Sequence, residues 1–195
     1  MKYGYYLVLC YLTIGIGTVV FGDKNVDKQA PSIRGIPRLA SLGSGERMRL
    51  LEQLSEDLAG VKSVLISQLD GSNPKEVNFS IAYLLGVFRA EQSVHHLSKY
   101  IAIKSDQSLI PNRMPLWGDY PVVEALISIG GPAIPEMVRN IETSDDGKVR
   151  ELSARVIRYI DGPEIAKFRL EKGMEKQSDP AKKARLKAAM ESIKE

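Results

Sequence analysis

Apolar residues recur at spacings of three and four along most of this chain, which is the periodicity of helices packed by one face. The pattern predicts helices over residues 46–59, 61–69, 74–88, 91–103, 119–129, 132–141, 148–160, 163–176 and 180–193. In the first, Leu50, Leu51, Leu54 and Leu58 share a face. In the seventh, Val149, Leu152, Val156, Ile157 and Ile160 do. No stretch after the first 22 residues alternates apolar and polar long enough to read as a strand. The local start signals agree: Asn73-Pro74 and Asp179-Pro180 each place a capping side chain before a proline at a helix start. The fold class is therefore all-α.

The first 22 residues are different in kind. Residues 5–21 form an uncharged apolar run, with Lys2 before it and Asp23 and Lys24 after it. A basic start, an apolar centre and a small-residue exit at Val20 and Gly22 are the parts of a secretory signal. A run of this length is also close to the 20 residues or so of a membrane span. Residues 1–22 are thus expected to be a signal peptide or an N-terminal membrane anchor, and either places the remainder outside the cytoplasm: periplasmic, secreted, or on the outer side of the inner membrane. Residues 23–45, rich in Gly, Pro and Ser, read as a flexible linker. Residues 46–195 form the helical domain.

Junctions between predicted helices recur. Ile129-Gly130-Gly131-Pro132-Ala133-Ile134 is matched by Ile160-Asp161-Gly162-Pro163-Glu164-Ile165. Related turns fall at Gly60 and Ala90, so the anchor positions are 60, 90, 131 and 162. Such a period is the mark of stacked supersecondary units. A glycine after the first helix of a pair is expected to adopt the left-handed conformation that closes a helix end, and the proline opens the second helix. On this reading Gly131 is the turn glycine of the third unit.

The stretch 125–138, Ala-Leu-Ile-Ser-Ile-Gly-Gly-Pro-Ala-Ile-Pro-Glu-Met-Val, resembles the short HEAT-like repeats of bacterial proteins, the class that includes phycobilisome-lyase-type repeats. Residues 160–168 are a second, weaker likeness. The resemblance implies an α-solenoid of antiparallel helix hairpins, with about four and a half repeats over residues 46–195. It also implies a scaffold that binds another macromolecule on its concave face. Two further readings stand beside it. One is an accessory or structural subunit packed permanently in an envelope complex. The other is an enzyme-helper of the lyase-type family.

Composition narrows the chemistry. The chain has 195 residues, 44% hydrophobic and 26% charged, with a formal net charge of +3. That balance fits a folded globular domain and argues against a disordered chain. The one cysteine, Cys10, lies in the apolar leader, so no internal disulfide is possible. The two histidines, His95 and His96, are adjacent, and neighbouring helical positions diverge too far to share a metal. Asp145-Asp146-Gly147 lacks the ligand alternation of a calcium loop and reads as a helix cap. No nucleophile or paired-acid motif appears, so no catalytic residue, cofactor or metal is expected. Eight bases between Lys167 and Lys187 read as the solvated face of a terminal cap. No aromatic pattern accompanies them, so nucleic acid is not an expected partner.

The expected partner is a protein. The polar insertion at 104–118 lengthens one repeat and carries Arg113 and Trp117, with Tyr120 following; these are residue types favoured in binding hot spots. On the second helix of each pair the concave-face candidates by position are Gln68, His95, Lys99, Glu136, Arg139 and Asn140.

Overall fold

The structure is a computed structural model, and it describes residues 8–11, 18–21, 42–104 and 119–193. Residues 23–41 of the expected linker and the insertion at 105–118, with Arg113 and Trp117, lie outside the described residues. Within residues 1–22, Val8–Tyr11 pairs antiparallel with Thr18–Phe21, Val8 opposite Phe21. Both segments are rich in β-branched or aromatic residues, which suit extended backbone.

Residues 42–104 and 119–193 are all helical, with nine α-helices. They are α1 (Ser44–Ser55), α2 (Leu58–Gln68), α3 (Lys75–Val87), α4 (Val94–Lys99), α5 (Pro121–Ile129), α6 (Ile134–Thr143), α7 (Gly147–Asp161), α8 (Pro163–Lys176) and α9 (Pro180–Ser192). A single 3-10 turn precedes α4 (Glu91–Ser93) and another precedes α6 (Gly131–Ala133).

Local chemistry sets most boundaries. Helix α1 starts two residues earlier than the periodicity predicts, because the Glu46 carboxylate accepts the Gly43 N–H at 3.0 Å. Asp146 caps α7 by accepting from Lys148 N–H at 2.7 Å, and Asp179 caps α9 by accepting from Ala181 N–H at 2.8 Å. Asn73 does not cap α3. Pro74 holds that position, while the Asn73 side chain donates to the Gln68 carbonyl at 2.6 Å and so closes the end of α2.

Two expected turn glycines are corrected. Gly60 lies inside α2, not at its boundary: Asp57 caps the helix and accepts the Gly60 N–H at 3.2 Å. The break is set by the capping aspartate, three residues before the glycine. At the third junction the unusual backbone belongs to Gly130 (φ 84°, ψ −142°), not Gly131, which opens the 3-10 turn. Gly162 matches it (φ 80°, ψ 162°). Both angles lie in the extended positive-φ region that only glycine adopts readily, not in the left-handed helical one.

One apolar core runs through the domain, from Leu50 and Leu54 to Leu186 and Ile193. Helix α3 packs along α5, and α5 against α7; α4 lies on α6, and α6 on α9. The α3 and α5 backbones come close at Gly86. A Cβ on Gly86 would stand 2.9 Å from the Ala125 Cα, so glycine is what lets these backbones meet. Leu97 of α4 and Met137 and Ile141 of α6 are fully buried, as is Ile101 just past the end of α4. Each such side chain contributes about 1.5–3 kcal/mol of hydrophobic stabilisation. The end of α6 is tied to α9 by Arg185, which donates to the Glu142 carbonyl at 3.0 Å and to Asp145 Oδ1 at 2.6 Å. Among the described residues no single helix is long and apolar enough to cross a membrane, although the bent pair α5 and α6 passes that test jointly on length and composition.

A candidate partner-binding face on α4 and α6

Helices α4 and α6 pack on one another, and hydrogen bonds join their polar sides. His95, Ser98 and Lys99 come from α4; Glu136, Arg139 and Asn140 come from α6. Glu136 is the centre. Its side chain is only 14% exposed, and its Oε1 accepts from the buried Ser98 hydroxyl at 2.8 Å. The same oxygen lies 3.0 Å from His95 Nδ1 and is bonded by the Arg139 guanidinium one turn along. Asn140 donates to the Ser98 carbonyl at 3.3 Å, a second polar tie between the helices.

The electrostatics follow from these contacts. Burial alone would raise the Glu136 carboxyl, but hydrogen bonds from Ser98, His95 and Arg139 and the Arg139 charge outweigh it. The net effect holds Glu136 below its ordinary value, so it is a carboxylate at neutral pH. His95 Nδ1 also lies 2.9 Å from an Arg139 guanidinium nitrogen. One nitrogen cannot serve both neighbours in one state. A protonated Nδ1 donates to Glu136, whereas a bare Nδ1 accepts from Arg139.

The carboxylate thus fixes two cationic or donor groups that remain open to solvent. His95 is 59% exposed at its side chain and Arg139 52%. Lys99 is exposed one turn beyond His95. The arrangement is a set of outward donors on a buried acceptor, suited to an acidic group on another molecule.

Of the residues singled out from sequence, His95, Lys99, Glu136, Arg139 and Asn140 gather on this face. Gln68 does not join them: its carbonyl serves Asn73, and its side-chain amide is buried without a hydrogen-bond partner. Tyr120 stands before α5 with its ring 5.2 Å from Lys148 Nζ of α7. The insertion that holds Arg113 and Trp117 is bounded by Lys104 and Asp119, which pair at 3.8 Å. His96 points inward, with Nε2 donating to the Leu69 carbonyl at 2.8 Å and its ring tilted on Tyr100. Ser98 was not legible as part of the site. A serine in a helix has many structural uses, and only the placement of Glu136 opposite reveals this one.

Comparison with known protein families, curated proteins and solved structures returns no match. The face on α4 and α6 is therefore read from its own chemistry.

Proposed function

We propose that this protein is a non-catalytic helical scaffold that captures another protein through the face built by α4 and α6. The partner surface is acidic where it meets His95, Lys99 and Arg139. The observation that carries this reading is the Glu136 carboxylate, held by Ser98 across two helices and used to orient Arg139 and His95 toward solvent. Preorganised donors lose less side-chain entropy on binding.

In the same reading the helices are stacked hairpins of a HEAT-like solenoid. The successive contacts of α3, α5 and α7, and of α4 and α6, support it, while at the last unit α6 meets α9 rather than α8. The protein acts outside the cytoplasm, exported or tethered through residues 1–22; the uncharged run at 5–21 is the support.

The test is capture of partners by the tagged full chain from the native envelope fraction, with intact mass measured on the same material. A stoichiometric partner retained by wild type and lost in Lys99→Glu/Arg139→Glu supports the reading. Equal capture by both proteins removes this face from the function. A mass that begins at Asp23 gives an exported protein; a mass that keeps the leader gives a tethered one.

A further inference from the structure

Three atoms on the α4 and α6 face form a closed triangle. His95 Nδ1 lies 3.0 Å from Glu136 Oε1 and 2.9 Å from Arg139 Nη2, and Arg139 bonds the same carboxylate oxygen. That oxygen also accepts from Ser98 at 2.8 Å. A carboxylate oxygen offers two lone pairs, so Ser98 and Arg139 fill it. While the His95 ring is neutral, Nδ1 accepts from Arg139 and the triangle holds. A proton on Nδ1 turns that acceptor into a donor. Two cations then face each other at 2.9 Å, and three donors compete for one oxygen. Ser98 is buried and fixed between the helices, whereas Arg139 is half-exposed and able to leave. The other charged groups near the ring do not settle the contest. Glu91 and Lys99, of opposite sign, lie four residues to either side of His95. Glu124, the one ionisable residue of α5, pairs with Arg155 of α7 at 3.6 Å. Asp70 acts on His96, whose ring turns to the Leu69 carbonyl.

We propose that His95 is a proton switch on this face: its protonation displaces Arg139 from Glu136, so that acidic groups on a partner are held more tightly as pH falls. The inference rests on the reading of the α4 and α6 face as the binding surface. In the closed triangle the Glu136 carboxylate partly cancels the Arg139 charge. Once protonated, His95 takes over that carboxylate, and Arg139 meets the partner with its charge uncancelled. The face gains one positive charge and two free guanidinium donors in a single step. Histidine is the side chain that ordinarily changes charge between about pH 5 and about pH 8. A lysine or arginine in its place would leave the face permanently in one state.

The test is nuclear magnetic resonance of the isotope-labelled full chain between about pH 8 and about pH 5. It follows the His95 ring nitrogens and the Arg139 guanidinium carbon, identified as the resonance missing from Arg139→Lys. Nδ1 should carry no proton above the step and one below it, and Arg139 should move in the same step. His95→Gln should abolish the Arg139 step. Inorganic sulfate, doubly charged throughout this range, probes the released guanidinium. Its effect on Arg139 should need about fivefold less sulfate below the step than above it, the effect of one further unit charge about 4 Å away in water. In His95→Gln that difference should vanish. An Arg139 resonance that does not move with His95 overturns the proposal. So does an Arg139 step that survives in His95→Gln, or a sulfate response equal at both ends of the range. If His95→Gln loses helix, the wild-type titration and its sulfate response decide. Neither readout needs a partner protein. Failed capture with the step intact removes the binding reading alone, and an absent step with capture intact removes the switch alone.

Discussion

Ser98 of α4 donates its hydroxyl to the Glu136 carboxylate of α6 at 2.8 Å, across 38 residues of sequence. The bond joins the two helices beside the buried Leu97 and Met137, each the sequence neighbour of one partner. It makes Glu136 both a structural acceptor and the anchor of Arg139 and His95.

Stability should therefore carry the signature of Glu136. Its native carboxyl lies below the ordinary value of 4.5. A depressed native value means stability that is present above the unfolded value and lost as pH falls through the native one. Urea unfolding of wild type and Glu136→Gln should differ most near neutral pH, and the two curves should converge in acid. A difference that is independent of pH would show that the carboxylate charge is not what these contacts stabilise.

The junction between α5 and α6 offers a paired test. Gly130→Ala should destabilise by about 1–3 kcal/mol, since its φ of 84° with ψ of −142° is accessible almost only to glycine. Gly131→Ala should change stability by no more than about 0.5 kcal/mol, because a Cβ there meets nothing within 4 Å. Thermal unfolding of the two variants distinguishes them, and equal melting temperatures would refute the assignment.

Gly86 reverses a general preference. Alanine in a helix interior is ordinarily favoured over glycine by about 1 kcal/mol. Here the new Cβ would sit 2.9 Å from the Ala125 Cα, so α3 and α5 would have to separate. Overpacking of this kind costs about 1–3 kcal/mol, and the net effect of Gly86→Ala should be destabilising. A raised melting temperature would mean that the helices part at little cost.

Arg47 is buried on α1, 9% exposed, with one guanidinium nitrogen lacking a hydrogen-bond partner. Its charge acts on Tyr83, whose hydroxyl is pushed up by burial and partly drawn back by Arg47. Replacing a poorly satisfied buried charge by an apolar side chain of similar length is often neutral or stabilising. Arg47→Met should leave the midpoint of urea unfolding unchanged or raise it. A clear fall would reveal a further interaction made by the guanidinium.

Sequence periodicity located the nine helices of the described domain, most boundaries falling within two residues. This was possible because each helix buries one stripe of Leu, Ile and Val, and because caps such as Asp146 and Asp179 act on neighbours two or three residues away. The same stripes left His95, Lys99, Glu136 and Arg139 off the apolar side of two second helices, although Glu136 proved to be largely buried. What lay beyond reach depended on which helix stands opposite which. The role of Ser98 needs Glu136 across the gap; the need for Gly86 comes from the Ala125 backbone. The pair Gly130-Gly131 offers two glycines for one turn, and only the backbone at the end of α5 shows that Gly130 takes the positive φ. Gly60 misled because a glycine near a predicted helix end resembles a terminator, whereas Asp57 had already started the next helix. Local hydrogen bonds and one-sided burial are written along the chain, residue by residue. Contacts between elements 30 or more residues apart exist only once the helices pack, and those contacts assemble the α4 and α6 face.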